Sequence, residues 1–248
     1  MDFSGVIEKV GPAIAKIFCL GDGNRILRTG SGFLYGKKGI LVTCDHVVQG
    51  GKAVAVRFPG DDPKEVRPAK ICLNDVEHDL ALLRVEHDQQ PLARLPAKEQ
   101  GNVRPGMQVL FSGYPLDLSA LTTHQGILSA IETDEIGVAT YLIDGTVNAG
   151  NSGCPLMNMK GEVLGVVNAT RRERSVLLSK VEGMLVGAVS LHGVDLVEIY
   201  QALISNVQLG VGYAVPASYI PDHKHVPFVV SSTPKAKKKP RAKPKRKA

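Results

Sequence analysis

The chain has 248 residues, 44% of them hydrophobic and 22% charged, enough for one or two domains with a sizeable core. No apolar stretch reaches membrane-spanning length, and charges inside Met1–Val10 interrupt the uninterrupted apolar region a signal peptide needs, so an unsecreted, intracellular chain without a membrane span is expected. The net charge of +6 conceals an asymmetry: Pro234–Ala248 carry nine Lys or Arg and no acid, leaving 21 bases against 24 acids in the rest.

In chain order, Ser4 is a candidate cap for a short helix that ends before Gly11-Pro12. Short apolar runs separated by turn residues follow: Ala13–Cys19, Phe33–Tyr35, Ile40–Thr43, Ala53–Phe58, Ala69–Leu73 and Leu80–Val85. About six strands is near the number a small closed barrel uses. Pro91–Gly106, rich in proline and charge, reads as a linker. A second set comprises Met107–Ser112, Gly126–Ile131, Thr140–Ile143, Cys154–Met157, Glu162–Asn168 and Val211–Val215. Between Thr170 and Gly210 lies an insertion in which Asp195 can cap a helix carrying Leu196, Ile199, Tyr200, Leu203 and Ile204 on one face. The fold expected is all-β, with an N-terminal barrel over residues 1–105, a C-terminal barrel over 106–222, and a linker and disordered basic tail over 223–248.

Three segments carry chemistry: Thr43-Cys44-Asp45-His46-Val47-Val48, His78-Asp79-Leu80-Ala81-Leu82-Leu83 and Gly150-Asn151-Ser152-Gly153-Cys154-Pro155. Alone, each reads as a turn or a strand boundary. Together they place His, Asp and Ser in one of the chain orders known for serine hydrolase triads. A serine hydroxyl is a poor nucleophile at neutral pH and needs a base; histidine is the side chain whose pKa lies nearest, and a carboxylate behind it fixes the tautomer and stabilises the imidazolium. His46, Asp79 and Ser152 are assigned those roles. Asp45, Asp75 and Glu77 compete with Asp79, but Asp79 alone directly precedes the apolar run, and Asp45, if extended like its neighbour His46, points to the opposite face.

These segments, with Gly30-Ser31-Gly32-Phe33, resemble the trypsin-like serine peptidases, and most closely the HtrA/Deg protease domain, from about Val6 to about Ile220. The resemblance implies a chymotrypsin-like pair of six-stranded barrels with the active site between them and a serine endopeptidase acting through an acyl-enzyme. It also implies an oxyanion hole from the N–H groups of Gly150 and Ser152. The residue six before the nucleophile, which floors the primary pocket in such folds, is Thr146, arguing for a small or medium apolar residue rather than Lys or Arg before the scissile bond. Val167, Asn168, Ala169 and Thr170 should form one pocket wall and pair with extended substrate, with Gly212 and Ala214 on the other side. Asn151 stands where secreted trypsins keep the aspartate that pairs with a new N-terminus, so activity without cleavage is expected.

Two features depart from the family pattern: Cys154 replaces the second glycine of the nucleophile loop, and no PDZ-like region follows Ile220. Cys19, Cys44, Cys72 and Cys154 form no CxxC or histidine-linked metal spacing, so free, buried thiols and neither metal nor cofactor are expected. The tail, Lys235 to Lys247, could hold nucleic acid or an acidic partner through counterion release, or direct the chain to nucleus or nucleoid, and the absence of interleaved aromatics argues against base stacking. Partners implied are therefore a polypeptide substrate, that polyanion and a further copy of the chain. The alternative reading is an inactive protease-fold scaffold whose tail is its working part.

Overall fold

The computed structural model describes residues 2–94, 96–169, 190–191, 193–199 and 210–221. Two closed antiparallel barrels of six strands each account for almost all of its regular structure. The first contains β1 (Ile14–Leu20), β2 (Ile26–Leu34), β3 (Ile40–Thr43), β4 (Ala53–Arg57), β5 (Arg67–Asp75) and β6 (Leu80–Val85), paired in the order β1-β2-β3-β6-β5-β4. The second contains β7 (Gln108–Gly113), β8 (Thr122–Thr133), β9 (Ala139–Asp144), β10 (Pro155–Met157), β11 (Val163–Asn168) and, after a small hairpin of β12 (Ser190–Leu191) with β13 (Val194–Asp195), β14 (Val211–Pro216). Its order is β10-β11-β14-β9-β8-β7. Closure leaves neither sheet with an unpaired edge.

Burial follows the barrel interiors. Leu80, Ala81, Leu82 and Leu83 are all buried, as a run without alternation requires. β8, by contrast, alternates exposed and covered residues along most of its length, with Leu128 fully buried. One apolar cluster fills the first barrel and continues into the second through Leu110, Met157, Val163, Val166 and Val215; another, around Phe111, Leu128, Ile143 and Val167, fills the second barrel.

Local details correct four sequence expectations. The N-terminal helix, α1 (Ser4–Val10), is not capped by the Ser4 hydroxyl; the Ser4 N–H donates to Asp2 Oδ1 at 2.9 Å, which lowers the Asp2 pKa. Residues 45–48 form a helical turn, α2 (Asp45–Val48), rather than extended chain. Asp195 does accept the N–H groups of Val197 (2.8 Å) and Glu198 (3.3 Å) at a helical turn over 196–199. There, however, Val197 is the buried residue, while Leu196 and Ile199 are 40% and 41% exposed. Tyr200, Leu203, Ile204 and the basic tail lie outside the described residues. All four cysteines are free, but Cys72 is only partly buried. No helix among the described residues is long and apolar enough to cross a membrane.

Candidate active site

Two loops of the first barrel bring a histidine to a carboxylate. β3 delivers the chain into the α2 turn, which presents His46; the turn entering β6 presents Asp79 in a left-handed conformation, φ 54°. The Asp45 N–H donates to Asp79 O at 3.1 Å and the His46 N–H to Asp79 Oδ1 at 2.9 Å, so the backbone of one loop is bonded to the other. That frame sets His46 Nδ1 2.6 Å from Asp79 Oδ2. With Nδ1–H donating to the carboxylate, Nε2 is left with a free lone pair.

Two of the competing carboxylates are engaged elsewhere, and the third, Glu77, is exposed. Asp45 is buried and accepts the Asn74 side-chain amide. Because residue 45 is helical, the separation of Asp45 from the imidazole comes from this turn and not from strand alternation. Asp75 pairs with His78, Oδ2 to Nδ1 at 2.9 Å.

The second barrel supplies Ser152 on the loop before β10. Two left-handed glycines shape it, Gly150 at φ 94° and Gly153 at φ 88°. A side chain at Gly153 would run into Ser31 O and Thr43 Oγ1, and one at Gly150 into Tyr114 O, so the loop lies directly on the first barrel and on the β7–β8 connection. The Ser31 N–H donates to Ser152 O at 2.9 Å, and the Gly153 N–H donates to Val167 O at 2.8 Å. The Ser31 hydroxyl donates to Gly150 O at 2.6 Å while accepting the Tyr114 N–H at 2.9 Å. Cys154 carries no left-handed dihedral, so the departure from glycine is tolerated: its side chain is buried in the second barrel core. Burial pushes its thiol pKa up, as it does that of Cys44, and both are protonated at neutral pH.

Consecutive residues at the end of β11 connect the two halves. Asn168 Nδ2 donates to Asp79 Oδ2 at 2.7 Å, and the Ala169 N–H donates to Ser152 Oγ at 3.1 Å. The serine hydroxyl thus rests on the backbone of Ala169, and no hydrogen bond joins it to His46 among the described residues. Ser152 is 4% exposed. Neither the Gly150 nor the Ser152 N–H donates to another group among the described residues. Cys44 Sγ lies 3.3 Å from Val167 O behind this arrangement, and Cys44, His46 and Asp79 bring their ligand-type atoms within 4.8 Å of one another.

The expected pocket residues are distributed less tidily. Val167 and Ala214 are buried and are paired in register between β11 and β14. Gly212 is crowded by the side chain of Val147, whereas Thr146 itself is exposed. The Asn168 side chain turns to Asp79. Thr170 lies outside the described residues. Sequence reasoning missed the Asn168 carboxylate contact and the Ser31 hydroxyl, since both act across more than 85 residues of chain.

Comparisons with known proteins agree with this architecture. The bovine mitochondrial serine protease HTRA2 is 35% identical over 173 residues, 65% of this chain and 37% of the relative, and the Synechocystis putative serine protease HhoB is 34% identical over 152 residues, 58% and 35% respectively. The chain spans little more than a third of the length of these relatives. Among solved structures, the serine endoprotease from Yersinia pestis superposes with TM-score 0.60 at 23% identity, covering 88% of this chain and 63% of that one. The HtrA-type protease AlgW with tripeptide gives 0.62 at 21%, covering 88% and 60%. These two likenesses show the fold. The profile of the trypsin-like peptidase domain matches residues 30–166, more than half of the chain, and the chain therefore belongs to the trypsin-like peptidase domain family, with HtrA and DegP-like proteases among its relatives.

Proposed function

We propose that the chain is a serine endopeptidase in which His46, Asp79 and Ser152 form the catalytic triad and the N–H groups of Gly150 and Ser152 form the oxyanion hole. The observation that carries the reading is the 2.6 Å contact between His46 Nδ1 and Asp79 Oδ2, tied through Asn168 and Ala169 to the Ser152 hydroxyl. In this mechanism Ser152 Oγ leaves the Ala169 N–H, turns to His46 Nε2 and attacks the scissile carbonyl as its proton passes to the imidazole. Catalytic hydrogen bonds of this kind commonly tighten only when substrate binds. The tetrahedral oxygen is held by the two unengaged N–H groups, each contributing about 3 kcal/mol to lowering the barrier. His46 then gives its proton to the leaving amine, and water hydrolyses the acyl-enzyme by the same steps in reverse.

Extended polypeptide is the substrate class proposed, since AlgW was solved with a tripeptide. A small or medium apolar residue before the scissile bond is proposed because Thr146, six residues before Ser152, brings no carboxylate to receive Lys or Arg. The uncleaved chain is the active form, because Asn151 offers no acid to a new N-terminus. Separately, Lys235 to Lys247 are proposed to hold nucleic acid or another polyanion inside the cell; salt-dependent retention on DNA that survives deletion of 235–248 overturns this.

Labelling with a serine-directed fluorophosphonate tests the main reading. Full-length wild type is expected to react, and Ser152→Ala and His46→Ala to lose reaction by more than about 1,000-fold. Equal labelling of wild type and Ser152→Ala, or none of either, favours the scaffold alternative.

A further inference from the structure

Lys16 is a buried cation with a post that the triad does not explain. It sits on β1 of the first barrel and is only 3% exposed. Its Nζ leaves that barrel and donates to Asp117 O at 2.8 Å and Leu118 O at 3.2 Å, with Asp117 Oδ1 at 2.5 Å. All three acceptors belong to the β7–β8 connection of the second barrel. A desolvated ammonium needs acceptors on most of its three N–H groups, and this loop supplies them.

The loop has an unusual shape. Leu116 and Asp117 are consecutive non-glycine residues in the left-handed region, at φ 52° and 60°. Such residues persist only where their surroundings over-determine them. Here the left-handed pair brings the carbonyls of Asp117 and Leu118 to the ammonium, and Lys16 is the cation that stabilises that turn.

The consequence reaches the nucleophile loop one residue away. The Leu116 N–H donates to Ala149 O at 2.7 Å, and Gly150 packs against Tyr114 O and Pro115 Cα. In a trans peptide the C=O and N–H groups point to opposite sides. Holding Ala149 O on the Leu116 N–H therefore fixes the Gly150 N–H facing away from the 115–118 loop. Rotation of that single peptide would exchange the donor for a carbonyl.

We propose that Lys16 is a positioning residue that locks the Ala149–Gly150 peptide, and with it the oxyanion donor of Gly150, through the left-handed turn at Leu116-Asp117. The inference rests on the peptidase reading above and adds a latch carried by the opposite barrel. Lys16 touches no reacting atom; its effect is on how often the donor is in place. Loss of the latch thus lowers transition-state stabilisation and leaves ground-state peptide binding nearly unchanged.

The experiment uses full-length Lys16→Met, Lys16→Arg and Asp117→Lys. In Lys16→Met the fluorophosphonate labelling rate and kcat on a peptide substrate are expected to fall roughly 10- to 100-fold, with KM within about twofold. Affinity for a peptidyl trifluoromethyl ketone, which forms an oxyanion, should fall in parallel with kcat/KM. Lys16→Arg keeps donors for the two carbonyls and is expected to recover most of the loss. Asp117→Lys sets a second cation against Lys16 from a side chain that is 70% exposed, so it disturbs the latch without altering the core; it should lose kcat while its thermal midpoint stays near wild type, and it decides the matter if Lys16→Met does not fold. Labelling and kcat within twofold of wild type in the folded variants, or a loss that appears only in KM, overturns the latch alone. An unlabelled wild type overturns the peptidase reading and the latch with it.

Discussion

Asn151 lies beside the proposed nucleophile, fully buried, with neither its amide nitrogen nor its oxygen bonded among the described residues. A neutral amide bears that isolation at a modest cost, whereas a carboxylate does not. Asn151→Asp would bury a charge without a cation, which destabilises by about 3–5 kcal/mol. The sign follows from desolvation: the folded-state pKa of the new carboxyl is raised above its unfolded value, so the penalty is present at neutral pH and is relieved as pH falls through the folded pKa. Urea unfolding at pH 7 and pH 5 checks this, and a variant equally stable to wild type at pH 7 overturns it. The proposal that the uncleaved chain is the active form rests on the same residue, since a new N-terminal ammonium would find no acid at Asn151.

In the connection between β4 and β5, Asp61 ties the start of the loop to its end. Asp61 accepts the Phe58 N–H at 2.9 Å and Arg67 Nε at 3.0 Å, with Arg67 Nη2 2.5 Å from its other oxygen. The Arg67 hydrogen bond is the main reason its pKa drops from 3.8 to about 2. A depressed carboxylate contributes stability that is complete above its unfolded pKa and disappears as pH falls through the folded value. The thermal midpoint of wild type should exceed that of Asp61→Asn above about pH 4, and the gap should close as pH falls to about 2; a gap independent of pH removes the pair from the account. How far elements could be read from sequence depended on their burial. β3 and β6 are apolar throughout, and their limits, Ile40–Thr43 and Leu80–Val85, were legible to the residue. β2 and β8 run much longer than their apolar cores because polar, exposed residues such as Arg28, Thr123 and Gln125 continue the pairing, and exposure erases the pattern. α2, at four residues, is shorter than any helical period can reveal. In the site, three motifs pointed to His46, Asp79 and Ser152, but the contacts that Asn168, Ser31 and Lys16 make were not legible: each is a strand residue whose partner lies in the other barrel.

At the scale of the whole molecule, the proposed chemistry depends on two barrels keeping register, and their contact is built as core rather than as a docking surface. Val10, Ile14, Phe33, Leu41 and Leu83 belong to the same apolar cluster as Leu110, Met157, Val166 and Val215, so separating the barrels would expose the packing of the first barrel itself. The polar contacts cross at the same place: Cys44 Sγ to Val167 O, Ser31 N to Ser152 O, Asn168 Nδ2 to Asp79 Oδ2. One cooperative transition is therefore expected in place of barrel-by-barrel opening. The buried thiols provide the reporter. Cys19 lies inside the first barrel, Cys44 at the junction and Cys154 inside the second, all fully buried, while Cys72 is partly exposed. Pulsed thiol trapping across a urea series, read by mass spectrometry, should modify Cys72 without denaturant and the other three at a shared midpoint, which should also be the midpoint for loss of fluorophosphonate labelling. If Cys44 and Cys154 react at a urea concentration where Cys19 is still protected, the barrels part before the first one unfolds, and the shared cluster is not what holds Ser152 opposite His46.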